Sequence, residues 1–182
     1  TTIPKFGAAI IAEAVQTYST DTAGGMSLSF WTSPASPGTG SGLVQNMTLT
    51  YAGNVGIGTA SPAVKLDVSG TMRSTSATIT GAAGGTITPT SDSTNQYTIT
   101  ALGAAATIAI PSGTPIDGQK LTIRIKDNGT ARALTWTTSA GGYRIIGTTL
   151  PVTTVVSKTV YIGCVYNSAD SFWDVVAVAQ QA

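Results

Sequence analysis

Apolar and polar residues alternate with a period of two along most of this chain, and that period predicts strands. Met26, Leu28 and Phe30 alternate with Ser27 and Ser29. Met47, Leu49 and Tyr51 alternate with Thr48 and Thr50. A turn at Gly53-Asn54 follows, and Val55 and Ile57 then continue with glycines between them. After Pro62, Val64, Leu66 and Val68 alternate with Lys65 and Asp67, and Gly70 closes the run. Phe6 to Val15 is the nearest thing to a helical stretch, but it reads better as a first strand. Ser33 to Gly42 is rich in Pro, Gly and Ser and reads as a loop. Each of these strands is short, with one apolar face. Such hairpins need partners to bury that face, so the pattern leaves two readings open: a small monomeric meander, or a piece completed by other copies. In the second reading Gly56 and Gly58 would let backbones of different chains approach closely.

From Thr71 to Gly85 the chain is nearly all Thr, Ser, Ala and Gly and reads as a linker between a first region of about 1–70 and a second of about 86–182. In the second region Tyr97 and Ile99 alternate with threonines. Leu121, Ile123 and Ile125 alternate strictly with Lys120, Thr122, Arg124 and Lys126. Asp127-Asn128-Gly129 is a strong turn signal. Leu134 with Trp136, then Val160, Ile162 and Cys164, then Trp173, Val175 and Ala177 supply further apolar faces between turns. Regularly spaced short strands predict an all-β fold, with a β-sandwich or jelly-roll-like unit in this half.

Composition agrees with strands. Only 9% of the 182 residues are charged, whereas 42% are hydrophobic and 21 residues are Gly. Ordinary globular proteins carry roughly 25% charged residues, so the polar surface here must come from Thr, Ser, Asn and Gln. A net charge of +1 without a basic cluster argues against a nucleic-acid partner. Stretches such as Ala104–Ile110 are far shorter than the ~20 residues of a membrane-spanning helix, so no membrane partner is expected. Thr1–Gly7 lacks the charged-then-apolar order of a signal peptide.

The segment Gly53-Asn54-Val55-Gly56-Ile57-Gly58-Thr59-Ala60-Ser61-Pro62-Ala63-Val64-Lys65-Leu66-Asp67-Val68-Ser69-Gly70 resembles a motif of bacteriophage tail fibres and tailspikes. Ala8 to Tyr51 resembles the stretch that precedes it there. Asp117–Leu121, Arg124–Trp136, Tyr161–Asn167 and Trp173–Val175 resemble C-terminal domains of phage fibre proteins. The resemblance implies a short-stranded, homotrimeric stalk or shoulder followed by a head, in a virion, meeting other virion proteins and a host surface glycan or receptor. It implies Met47, Leu49, Val55, Ile57, Leu66 and Val68, on the apolar sides of the stalk strands, as trimer contacts. Many such proteins continue into a self-cleaving chaperone domain. No helical segment of that kind follows here, so self-cleavage is not carried over. A capsid decoration or head-fibre protein is the alternative reading, and a polysaccharide depolymerase the second alternative.

Candidate chemistry is sparse, and no enzyme activity, cofactor or metal is expected. There is no histidine, which removes Ser-His and Cys-His pairs and the commonest transition-metal ligand. Cys164 lies on an apolar strand face and reads as a buried small hydrophobe. Asp127, Asp170 and Asp174 are carboxylates in search of a glycosidase pair, but turn and surface roles explain them more simply. Gly56 and Gly58 lack the third glycine and the helix of a phosphate loop. Trp136 and Trp173 read as core. For ligand binding there remain Tyr143 and Arg144 after Gly141-Gly142, and Asn167 and Asp170 in another loop. An aromatic face with planar polar partners suits a sugar.

Overall fold

The computed structural model describes residues 8–14, 25–33 and 43–182. The chain divides into two compact units, Thr1–Arg73 and Ser74–Ala182. Every regular element among the described residues is a strand, and the fold is all-β.

The first unit is one five-stranded sheet in sequential order: β1 (Ala8–Ala14), β2 (Met26–Thr32), β3 (Val44–Leu49), β4 (Val55–Ile57) and β5 (Leu66–Val68). β1 to β4 pair antiparallel, and β4 pairs parallel with β5. β1 lies within the stretch from Phe6 to Val15 that reads as a strand; those two end residues, and most of the expected Ser33–Gly42 loop, lie outside the described residues.

The segment Gly53–Gly70 builds the β3–β4 turn and the β4–β5 crossover. Gly53 takes φ +74° at the turn, where its N–H donates to the Thr50 carbonyl. Asn54 Nδ2 donates to the Pro62 carbonyl at 3.3 Å. Lys65 Nζ donates to the Ala52 carbonyl at 2.9 Å. Asp67 Oδ2 accepts from the Ala63 N–H at 3.0 Å. A Cβ on Gly56 would collide with the carbonyl oxygen of Thr59, and one on Gly58 (φ +71°) would stand 2.9 Å from that of Ser69. These glycines serve close approach within one chain: the crossover folds back over its own strand.

The second unit has two sheets. One has the order β12-β14-β13-β10-β8-β6, the other β11-β9-β7. The strands are β6 (Ser76–Thr80), β7 (Gly85–Ile87), β8 (Gln96–Leu102), β9 (Ala106–Ile108), β10 (Lys120–Asp127), β11 (Leu134–Trp136), β12 (Tyr143–Ile145), β13 (Thr159–Asn167) and β14 (Phe172–Gln180). From β6 to β11 the chain passes alternately from one sheet to the other, and each strand lies parallel to the next one in its own sheet. The result is a parallel coil of three rungs. It stacks Ile79, Ile99 and Ile125 in one sheet, and Ile87, Ile108 and Trp136 in the other. The β13–β14 hairpin then adds antiparallel to β10, and β12 pairs parallel with β14 at the edge.

Two sheets facing one core agree with a sandwich. The parallel pairs differ from a jelly roll, which is built from antiparallel strands. Ser76–Thr80 is also not linker: it is the edge strand of the larger sheet, with Ala77 and Ile79 half-buried. The core draws on both sheets. Ile99, Leu102, Ile108, Leu121, Ile123, Ile125, Ile162 and Val175 have no exposed surface. Trp136, Trp173 and Cys164 join them, in the core roles read from their alternation.

Candidate functional site

Two surfaces carry the residues that the sequence singles out. The first is a face of the five-stranded sheet. Residues opposite one another across a ladder point to the same side, and the register aligns two complete rows. Ile10, Phe30, Met47, Ile57 and Val68 form one; Ala12, Leu28, Leu49, Val55 and Leu66 form the next. The six positions implied as trimer contacts all fall in these two rows. They stay partly open to solvent: Ile57 is 44% exposed and Leu66 57% exposed. Ile10, Met26 and Val44 are also exposed. The opposite face runs Ile11, Ser29, Thr48, Gly56, Asp67 across the same strands. There Ser29 and Thr48 are buried, with their hydroxyls 3.3 Å apart. Among the described residues of this unit, the buried side chains are thus polar ones and the exposed row is apolar. A monomer with that arrangement leaves its hydrophobic free energy unused.

The second surface lies where β12 meets the β13–β14 turn. The parallel register sets Arg144 directly opposite Asp174. The guanidinium grips that carboxylate with two bonds, Nε to Oδ1 at 2.6 Å and Nη2 to Oδ2 at 3.0 Å, and Nη1 reaches Asp170 Oδ2 at 2.7 Å. Asn167 Nδ2 donates to both carboxylates, at 3.3 and 3.4 Å. The Phe172 ring lies 5.2 Å from the guanidinium carbon. The hydrogen bonds that Arg144 donates to Asp174 and Asp170 raise its pKa above the ordinary range. The Arg144 fork in turn holds the Asp174 carboxyl below its ordinary value of 3.8, against a smaller opposing effect of burial. This geometry clamps the hairpin turn to the edge strand. One cation meets two anions, so the cluster is net negative, and its guanidinium is already engaged.

Of the four residues proposed for ligand binding, the structure therefore brings Arg144, Asn167 and Asp170 together and adds Asp174 and Phe172. Tyr143 is a correction. It is wholly buried, with its ring edge-on to Trp136 at 5.1 Å. A Cβ on Gly142 would strike the Thr137 carbonyl oxygen, so this glycine lets the chain turn inward and carry Tyr143 into the core. Burial, then the neighbouring Cys164, push its phenol above the ordinary range. The ring cannot stack on a ligand from solvent.

The remaining reactive groups are structural. Burial pushes the Cys164 thiol up to about 12, far from a thiolate nucleophile. Asp127 sits inside the fold and accepts from Gly129 N–H, Ser157 N–H and the Thr154 hydroxyl at 2.8–2.9 Å. Burial opposes its ionisation, but these bonds and the Arg132 charge outweigh it, so its pKa is lowered. No group of three or more Cys, Asp or Glu among the described residues is placed to hold a metal ion, and no helix among them is long and apolar enough to cross a membrane.

Sequence reasoning passed over Trp31, and it set Tyr51 in the apolar row with Met47 and Leu49, whereas Tyr51 stands past the end of β3, in the β3–β4 turn. Trp31 stands in register with Ser27 and Ser29, on the polar side of β2. A tryptophan in a polar register was the available signal. No protein-family model matches the chain, and no curated protein matches it.

Proposed function

We propose that this chain is a structural fibre protein of a bacteriophage virion. Copies associate as a homotrimer through the apolar face of the first unit, and the second unit carries attachment to the host cell surface. The uncovered apolar face is the observation that supports this reading most. About ten apolar side chains share it. Burying their exposed parts is worth on the order of 10 kcal/mol, since a full Val, Leu or Ile side chain contributes about 1.5–3 kcal/mol. Association costs about 4–15 kcal/mol, so the face is of the size at which self-association becomes favourable. The number three comes from the resemblance of Gly53–Gly70 to phage fibre stalks, and a closed ring of identical copies leaves no such face open.

The second unit suits a display role. Its core is closed, and the Arg144 clamp ties the β13–β14 turn to the edge strand. Three weakly binding copies on one stalk would gain strength through effective concentration. The candidate carboxylates have structural partners: Asp127 accepts three bonds inside the fold, and Asp174 is gripped by Arg144. Chemical cross-linking of the purified full chain tests the assembly half, with a ladder ending at three chains expected and a single-chain band contradicting it. Competition tests the attachment half: added protein should protect host cells from the phage that encodes it, and unaltered infection would speak against attachment.

A further inference from the structure

We infer that the polar face of the first unit carries a binding groove for a neutral oligosaccharide. This assignment does not depend on the fibre reading. The groove encloses about 500 Å³, within the range of about 300–1,000 Å³ typical of ligand sites. Its floor is the buried polar side of β2 and β3: Ser27, Ser29 and Thr48, with Gln45 Nε2 donating to Ser29 Oγ at 2.7 Å. Its walls are the β3–β4 turn, which carries Tyr51, and the crossover at Ser61 and Pro62. Both walls are tied down. The Asn54 N–H donates to Thr50 Oγ1 at 3.2 Å, and the Asn54 amide holds the Pro62 carbonyl.

The lining identifies the guest. Two aromatic rings, Trp31 and Tyr51, stand among hydroxyls and amides, and none of the described lining residues carries a charge. Sugar rings offer apolar C–H faces to stack on aromatics and hydroxyls to pair with mixed donors and acceptors. A charged sugar would find no counter-ion. The Tyr51 ring lies against Gly25, where a Cβ would come within 2.9 Å of Tyr51 Cγ, so this glycine lets the ring lie close on the strand. The Trp31 indole N–H is buried and has no acceptor among the described residues, so what Trp31 offers a guest is its ring.

The test is a microarray of neutral and acidic oligosaccharides probed with the full chain, followed by calorimetry on the best neutral trisaccharide or tetrasaccharide. Binding is expected to be millimolar to micromolar and unchanged when salt is raised to about 0.5 M, because no ion pair is involved. Trp31→Ala removes the stacking face. Ser61→Trp fills the groove from its loop without touching the sheet, and so remains informative if Trp31→Ala disturbs folding. Each is expected to weaken binding at least about tenfold, the equivalent of about 1.4 kcal/mol, while Lys120→Gln, a solvent-facing change in the second unit, leaves it unaltered. Binding only of acidic glycans, no binding of neutral ones at millimolar concentration, unweakened binding by Ser61→Trp, or loss with Lys120→Gln would each overturn the assignment.

Discussion

In the first unit Ile57 and Leu66 stand in water while Ser29 and Thr48 are buried; in the second, Ile123 and Val175 have no exposed surface and Lys120 faces solvent. Both halves are built from the same alternation of apolar and polar residues. The difference lies in what covers the apolar side. The second unit supplies its own second sheet, so the rows of β8 and β10 meet those of β9 and β11 in a single core. The first unit has one sheet among its described residues, and its β4–β5 crossover folds over the polar side, leaving the apolar rows open. Alternation predicts that a face will be buried; it does not say whether the cover comes from the same chain.

The contrast can be broken from the second unit first. Trp173→Ala removes a fully buried indole that packs on Tyr166 at 5.2 Å. It is expected to destabilise the second unit by about 3–5 kcal/mol. Denaturant melts followed by amide exchange should show this loss in Ser74–Ala182 and leave the five-stranded sheet protected.

Asp127→Ala is expected to cost about 2–4 kcal/mol, because Thr154, Ser157 N–H and Gly129 N–H lose their acceptor inside the fold. The folded pKa of Asp127 lies below its ordinary 3.8. Its contribution is therefore present above that ordinary value and lost as pH falls through the folded pKa. Thermal melts across acid pH should show that decline in the native chain, with a shallower one in Asp127→Asn. A slope unchanged by the substitution would mean that the carboxylate's bonds do not hold the β10–β11 turn.

Gly56→Ala sharpens the comparison from the other side. The added methyl meets the Thr59 carbonyl and the Thr48 methyl, and overpacking of this kind costs about 1–3 kcal/mol. The loss should appear in the first unit alone. The smallest effect is expected from Arg144→Gln, since the Arg144–Asp170 and Arg144–Asp174 pairs are partly solvated. It should loosen the β13–β14 turn in amide exchange and leave the molecular mass unaltered.

Much of this was legible from the chain alone. Period-two runs located most strands, and the turn signals at Gly53-Asn54 and Asn128-Gly129 lie between strands. The coil was not legible. A half-buried strand alternates in the same way whether its neighbour is parallel or antiparallel, and the rungs differ in length: Ile87 pairs with Ile108, and Ile108 with Trp136. Ser76–Thr80 looked like linker because its inward positions are only Ala77 and Ile79. For the candidate sites, the glycine pair before Tyr143 suggested an exposed loop, when Gly142 in fact turns the chain inward. Arg144 and Asp174 could not be paired without the parallel β12–β14 register. Trp31 was visible as an aromatic among serines, but only the crossover folded over the sheet makes a groove of that face.

Solution mass by light scattering, comparing the native full chain with Ile57→Asp at micromolar concentration, tests the central claim most directly. Ile57 is exposed in the single chain, so the substitution should leave the fold intact. Between copies it would bury an unpaired carboxylate, which is strongly destabilising. The account predicts a mass near three chains for the native protein and near one for Ile57→Asp. A native chain that stays monomeric, or a variant that keeps the native assembly, would contradict it.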